Sequence, residues 1–131
     1  MERLIEASIV RIVPDNPTKV LTIELRSADG GCIYAVRADG VYDLLIEAVR
    51  LNNIVDEVVG YPESMSEAEM LSSLQFLMTR DSAPYELGRF PHVDLKAEEI
   101  RGGTLRLWNF RPVYGASLFI VARTLAIIEA R

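Results

Sequence analysis

The first 38 residues alternate between apolar-rich segments and turn residues, and this alternation limits the fold more than any other feature of the chain. Apolar-rich segments lie at residues 3–13, 19–27 and 32–38, separated by the turn clusters PDNP and ADGG. In the middle segment, KVLTIELRS, apolar and polar residues alternate from Leu21 to Arg26, which is typical of a half-buried strand. The pattern predicts a three-stranded antiparallel meander.

Two helices are predicted in the middle of the chain. An apolar stripe at helical spacing predicts the first of them over residues 41–51. Ser66, followed three residues later by Glu69, has the pattern of a capping box and predicts a second helix that ends at about Arg80. Between these helices, the segment IVDEVVG at residues 54–60 is compatible with either a short helix or a strand.

The last third of the chain predicts three more strands. The pair Gly102-Gly103 is a hairpin signal, with strands predicted before it over 93–101 and after it over 104–111. The final apolar run, LFIVARTLAII at residues 118–128, is rich in β-branched residues. It predicts a strand that is apolar on both faces and is therefore central or buried at an interface.

The predicted elements follow the order β-β-β-α-α-β-β-β, which indicates a single domain of the α+β class over residues 1–131. We expect a largely antiparallel, curved sheet with two helices packed on one face. Half of the residues are apolar and a quarter are charged, which is the balance of a globular protein. The sequence shows neither the pattern of a secretory signal nor an apolar run long enough to span a bilayer, so we expect no membrane association and a cytoplasmic location.

Cofactors and metal ions are not expected. Cys32 and His92 are the only residues of their types, so the chain offers no intramolecular disulfide and no histidine or cysteine pair at ligand spacing. The glycine pairs at 30–31 and 102–103 lack the spaced glycines and the lysine of a nucleotide-binding loop.

The distribution of charge is uneven. The formal net charge of −5 argues against nucleic-acid binding, which needs a surplus of cations to displace the counterions of the phosphates. Residues 1–86 carry seven basic and fifteen acidic groups, whereas residues 87–131 carry seven basic and four acidic groups. The acidic part is compatible with an antagonist of a basic protein partner. Twelve of the fourteen basic residues are arginine, and the two lysines are Lys19 and Lys96.

The strongest candidate for a ligand site is the segment TLRLWNFRPVY. Strand alternation places Arg106, Trp108 and Phe110 on one face, and the leucines on the other face, which is the natural core. Arginine beside aromatic rings suits an anionic or aromatic ligand and also a protein-interaction surface. Alternatively, the rings pack under the helices as part of the core. Arg111 and Tyr114, at the adjacent turn, would form the rim of such a site.

A second candidate is the pair His92 and Asp94. In an extended segment the two side chains would lie on the same side, where the carboxylate could orient the imidazole for proton transfer. This pair would serve a small-molecule enzyme with a pocket between sheet and helices.

The leading functional hypothesis is a non-enzymatic binding or interaction module that uses the arginine–aromatic surface. No nucleophile motif, metal set or cofactor loop is visible in the sequence, and the enzyme and the acidic antagonist are the alternatives. We also expect a homodimer, because the final apolar run would be prone to aggregation as an exposed edge strand.

Overall fold

One curved sheet and two helices make up the computed structural model, which describes residues 2–129. The strands are β1 (Ser8–Asp15), β2 (Val20–Arg26), β3 (Ile33–Asp39), β4 (Asp43–Glu47), β5 (Ile54–Gly60), β6 (Arg106–Tyr114), β7 (Ser117–Ala122) and β8 (Thr124–Glu129). The helices are α1 (Glu67–Thr79) and α2 (Pro91–Arg101). The strand order is β4-β7-β6-β5-β1-β2-β3-β8, and all neighbours are antiparallel. The α+β class is therefore confirmed.

The predicted meander and the predicted start of α1 are also confirmed. β1 pairs with β2 and β2 pairs with β3, and the alternation in β2 buries Leu21, Ile23 and Leu25 on one face. The Glu69 amide donates a hydrogen bond of 3.1 Å to the Ser66 hydroxyl, so Ser66 is the N-cap of α1. The Glu69 carboxylate binds Arg111. The helix ends at Thr79, with Arg80 as its C-cap.

A bend in two paired strands brings the ends of the sheet together. β3 continues into β4 and β7 continues into β8, and the two long segments pair with each other on both sides of the bend. At the bend, the Arg123 amide donates to the carbonyls of Asp39 and Gly40 at 3.0 and 3.3 Å. The Tyr42 amide donates to the Val121 carbonyl at 2.8 Å. Since β4 and β8 are the terminal strands, the sheet curves until its two ends meet at this bend.

The sheet separates two groups of buried side chains. The inner core is enclosed by the curved sheet and consists of Leu4, Ala7, Leu21, Ile23, Leu25, Val36, Ala38, Val55, Trp108, Phe110, Ala116, Leu118, Ile120 and Ala122. The outer core lies between the sheet and the helices and consists of Val59, Met65, Met70, Leu74, Leu77, Val93, Ala97, Ile100, Leu105, Leu107 and Val121. Both helices thus pack on one face of the sheet, as predicted.

The helix predicted over 41–51 is wrong, because this segment contains β4. Leu44 pairs with Ile120 and packs against the inner core, whereas Leu45 pairs with Phe119 and packs against the outer core. A strand with both faces covered is apolar at consecutive positions, and the resulting sequence also contains apolar residues at helical spacing.

The strand predicted over 93–101 is also wrong, because these residues form most of α2. Pro91 occupies the first turn, where its missing amide costs no hydrogen bond. Val93, Ala97 and Ile100 are buried at a spacing of four and three residues, which is the apolar face of a helix. Gly102 ends α2 instead of starting a hairpin. Neither helix in residues 2–129 is long and apolar enough to cross a membrane.

Two further segments resolve as strands. Residues 54–60, for which the sequence left helix and strand open, form β5. The run 118–128 is extended as predicted, but Arg123 divides it into β7, which lies between β4 and β6, and β8, which ends the sheet.

The two terminal strands differ in how their edges are protected. On β4, the Asp43 carboxylate accepts a hydrogen bond from the Leu44 amide, and Glu47 forms an ion pair with Arg80 next to α1. β8 has one charged residue, Glu129 at its end, and no lysine, arginine or proline, and its residue Ile128 is 46% exposed. Charged side chains on an edge discourage pairing with another strand, so β8 is the less protected edge.

We predict that Gly60→Ala destabilises the protein by about 1–3 kcal/mol, because its new methyl group would overpack the core. A Cβ atom at Gly60 would lie 2.7 Å from Cδ1 of Trp108. Urea unfolding would measure the effect, and Trp108, as the only tryptophan, reports it by fluorescence. Gly31→Ala is the matched control, since its Cβ would meet only the exposed Asp29 side chain, at 3.2 Å. Equal effects of both changes would contradict the prediction.

Candidate functional site

The aromatic residues of the predicted arginine–aromatic surface lie inside the protein. Trp108 is 8% exposed and Phe110 is fully buried, and both belong to the inner core. The predicted alternation is present, since Leu105 and Leu107 face the outer core. However, the helices cover the leucine face, and the aromatic face is enclosed by the curved sheet. The two rings therefore offer almost no surface to a ligand or a partner.

Arg106 covers the indole ring and is neutralised there. Its guanidinium lies 5.3 Å from the centre of the Trp108 ring. It donates to the Tyr61 carbonyl at 3.3 Å and forms an ion pair with Glu63. The sequence predicted the neighbourhood of Arg106 and Trp108 correctly, but the contact packs one side chain on the other.

Arg111 and Tyr114 do not form a rim around Trp108. Arg111 forms ion pairs with Glu57, at 2.7 Å, and with Glu69. Tyr114 is about half exposed and packs against the Arg50 guanidinium at 5.5 Å. Strand alternation puts Arg111 on the face of β6 opposite to Trp108.

His92 and Asp94 do not form the predicted pair, because they lie in α2. In a helix, residues two apart point in different directions, whereas the prediction assumed an extended segment. His92 is exposed near the start of the helix. Asp94 accepts hydrogen bonds from the Tyr85 hydroxyl and from the Gly88 amide, which fixes the loop before α2. The bond to Asp94 raises the pKa of Tyr85.

The most distinctive surface feature is a groove beside the bend of the sheet, which we name the cationic groove. It has a volume of about 690 Å³ and is lined by Lys19, Gly40, Val41, Tyr42, Lys96, Glu99, Thr104, Leu105 and Arg123. The Arg123 side chain lies against Gly40, where a Cβ atom would come within 2.7 Å of Arg123 Cδ. Gly40 also has a φ of +62°, a conformation that favours glycine. The backbone at the bend therefore positions Arg123 beside the groove.

Lys96 is held in place on the helical side of the groove. Its ammonium lies 3.9 Å from the centre of the Tyr42 ring and 3.0 Å from the Glu99 carboxylate. Its side chain is 20% exposed, so part of its length is packed while the charged end contacts polar groups. The aromatic ring and the carboxylate therefore fix the direction of this cation.

Two of the three cations have no acidic partner among the side chains that the structure describes. Lys19 donates a hydrogen bond of 2.7 Å to the Asn16 amide oxygen, and Arg123 takes part in no ion pair. Most other arginines are neutralised by carboxylates; these are Arg11, Arg37, Arg80, Arg89, Arg101, Arg106 and Arg111. The cationic groove is thus a local concentration of unneutralised positive charge on an acidic protein.

A second groove adjoins the first, and we name it the acceptor groove. It has a volume of about 250 Å³ and is lined by Pro14, Asp15, Asn16, Lys19, Val20, Leu21, Val41, Tyr42, Asp43 and Leu44. Lys19, Val41 and Tyr42 line both grooves. Asp43 is partly buried, and this desolvation raises the pKa of its carboxyl, although the bond from the Leu44 amide opposes the shift.

No protein-family model matches this chain, and no curated protein or solved structure matches it either. Within residues 2–129, no three His, Cys, Asp or Glu side chains are grouped so that they could hold a metal ion. The two adjoining grooves, which share Lys19, Val41 and Tyr42, are the candidate functional site on the basis of their geometry and charge.

The sequence prediction missed this site because its residues are far apart along the chain. Lys19 follows β1, Lys96 lies in α2, and Arg123 lies between β7 and β8. One signal was available, since both lysines of an arginine-rich chain line the same groove. The bend that brings them together follows from strand pairing between distant segments, which local patterns do not reveal.

We predict that Asp43→Asn changes the pH dependence of stability. Because its pKa is raised, Asp43 binds a proton more tightly in the folded state than in the unfolded state. The ordinary pKa of this side chain is 3.8, and the wild type loses stability as the pH rises from this value through the raised pKa. The variant lacks this loss, so its free energy of unfolding should rise relative to the wild type over that pH range. Urea unfolding at several pH values would measure the difference.

Asp29→Asn is the control of opposite sign. The hydrogen bond from the Ser27 hydroxyl lowers the pKa of Asp29, so this carboxylate adds stability above pH 3.8 that is lost as pH falls. The free energy of unfolding of the Asp29→Asn variant should therefore fall relative to that of the wild type as pH rises. The same trend in both variants would refute the assignment at Asp43.

Proposed function

We propose that the protein is a non-enzymatic binding module that holds a small anionic ligand in the cationic groove. The observation that carries this proposal is that both lysines of the chain and an arginine without an acidic partner in the described structure converge on one groove. An anion placed there would replace the water around Lys19 and Arg123 with charge-assisted hydrogen bonds. The sequence hypothesis of an anionic ligand is thus retained, and its site moves from β6 to the bend.

The shape and surroundings of the groove favour a small ligand over a nucleic acid. A volume of about 690 Å³ is within the range of small-molecule sites. The net charge of −5 opposes the approach of an extended polyanion, whereas a compact anion can be bound locally by Lys19 and Arg123, beside the Lys96–Glu99 pair. Tyr42 and Leu105 add apolar surface to the groove, as is usual in sites for metabolites.

We predict that inorganic phosphate and citrate bind to the wild type and that Lys19→Gln and Arg123→Gln each weaken the binding about tenfold. This is the loss expected from one hydrogen bond to a charged group. Isothermal titration calorimetry at low salt would measure the dissociation constants. Raising the salt concentration should weaken binding as well, because the groove is open to solvent.

The control for this experiment is Arg11→Gln. Arg11 carries the same charge on β1 and forms an exposed ion pair with Glu24. It lines neither groove, so its removal should leave anion affinity within about twofold of the wild type, as expected for weak surface charge effects. If the three variants lose equal affinity, the binding is non-specific attraction to the protein and the proposal fails.

The alternatives from the sequence are less well supported by the geometry. The enzyme hypothesis assigns proton transfer to His92 and Asp94, but neither of these residues lines the cationic groove. The hypothesis of an acidic antagonist stays a prediction, and strong release of a basic partner at high salt would support it.

We also infer that β8 is the surface through which two copies of the chain associate, as expected from the sequence. The support is that β8 ends the sheet, has no edge-protecting lysine or proline, and exposes Ala126 and Ile128. A second copy of β8, related by a two-fold axis, would pair with it antiparallel and satisfy its free amides and carbonyls.

We predict that Ile128→Lys raises the dissociation constant of this dimer at least about tenfold, because charged residues on an edge oppose strand pairing. Sedimentation at a series of protein concentrations would measure it. Val10→Lys is the control, since Val10 is similarly exposed on β1, away from the terminal strands. A wild type that stays monomeric at all concentrations would overturn the inference.

A further inference from the structure

We propose that the ligand of the two grooves is a sugar phosphate or a similar hydroxyl-rich phosphate ester. Its phosphate would lie among Lys19, Lys96 and Arg123, and its hydroxyls would reach Asp15 and Asp43. This inference rests on the proposed function, because it assumes that the cationic groove binds an anion. It adds the chemistry of the rest of the ligand.

The continuity of the two grooves is the first step of the inference. Lys19, Val41 and Tyr42 line both, so a ligand that occupies the cationic groove can extend past Tyr42 into the acceptor groove. A phosphate alone would fill only a fraction of the combined space. The adjoining volumes of about 690 and 250 Å³ suit a molecule that carries a phosphate on a larger body.

The polar side chains change character from one groove to the other. The cationic groove offers Lys19, Lys96 and Arg123, with Glu99 paired to Lys96, whereas the acceptor groove offers the carboxylates of Asp15 and Asp43 beside the shared Lys19. Two carboxylates repel an anion but accept hydrogen bonds from hydroxyl groups, and such charge-assisted bonds are short and strong. The ligand must therefore be anionic at one end and a hydrogen-bond donor at the other.

Asp43 is suited to bind the end of the ligand that donates hydrogen bonds. One of its carboxylate oxygens accepts a bond from the Leu44 amide, and no cation within the described residues forms an ion pair with it. The other oxygen is thus available to a hydroxyl group. Partial burial strengthens this interaction, because the surrounding dielectric is lower than in water.

The surface between the two ends is apolar and aromatic. Tyr42 is 48% exposed, with the Lys96 ammonium on its ring, and Val41 lies beside it. The carbon skeleton of a sugar can pack on these side chains while its hydroxyls point to the carboxylates. A polyanion such as citrate does not have an anionic end and a separate hydroxyl-rich end. Its outer carboxylates would lie next to the carboxylates of Asp15 and Asp43, which would repel them.

Calorimetry with a small panel of probes would test the inference. The panel consists of glucose 6-phosphate, ribose 5-phosphate, glycerol 3-phosphate, inorganic phosphate, citrate and glucose. We expect the tightest of the three phosphate esters to bind about tenfold more tightly than inorganic phosphate and than citrate, from one added hydrogen bond to a charged group. Free glucose should bind much more weakly than any of the esters, because it lacks the anionic end.

Three variants separate the two grooves. Asp43→Asn and Asp15→Ala should each weaken the tightest ester at least about fivefold, because each removes a charged acceptor, and neither should weaken inorganic phosphate, because each also removes a negative charge. Lys19→Gln should weaken both ligands, because Lys19 is shared. Asp15 is exposed, so its variant keeps the test valid if Asp43→Asn unfolds.

The outcomes distinguish this inference from the proposed function. If phosphate and the esters bind equally, or citrate binds most tightly, or the acidic variants change nothing, the sugar phosphate is excluded while anion binding stands. If neither phosphate, citrate nor any ester binds, both proposals are overturned.

Discussion

The hydrogen bonds from the Arg123 amide to the carbonyls of Asp39 and Gly40 hold the two ends of the sheet together, and the remaining structure depends on this closure. Without the bend, β3 with β8 and β4 with β7 would be separate edges of a flat sheet. With it, the sheet curves around Phe110 and its neighbours, which form a buried apolar core. The two grooves lie outside this core, beside the bend.

The same closure also sets the surroundings of Arg123. Many arginines on the strands and helices form ion pairs with carboxylates of neighbouring elements, such as Arg111 with Glu57 and Arg101 with Glu67. At the bend the backbone turns away from its neighbours, so Arg123 extends over Gly40 toward the gap between α2 and the sheet. No carboxylate within the described residues forms an ion pair with Arg123, so its positive charge remains available there.

Local patterns predicted the parts of the fold in which one face of an element is buried. The alternation in β2 is compatible only with a half-buried strand, and the pattern at Ser66 is compatible only with the start of a helix. Both predictions are confirmed. They failed where two explanations give the same pattern. Leu44 and Leu45 belong to a strand covered on both faces, and Gly102 can end a helix or begin a hairpin.

The candidate site was out of reach for a different reason. The sequence pointed to Trp108 because tryptophan and arginine are common in binding sites, but the curvature of the sheet encloses that ring. Lys19, Lys96 and Arg123 show no mutual pattern along the chain, and only the pairing of distant strands brings them to one groove. Global topology, and not composition, decides which polar residues become neighbours here.

The cationic groove is built from four distant parts of the chain that meet only while the bend is closed. Opening of the sheet at Arg123 and loss of the groove are therefore one event. A molecule bound there would draw the population toward the closed form by mass action, in proportion to its concentration. Amide hydrogen exchange at the bend and the lifetime of the protein under proteolysis would then depend on the supply of that molecule. Under the proposed function, the stability of this protein in a cell would therefore rise with the concentration of its anionic ligand.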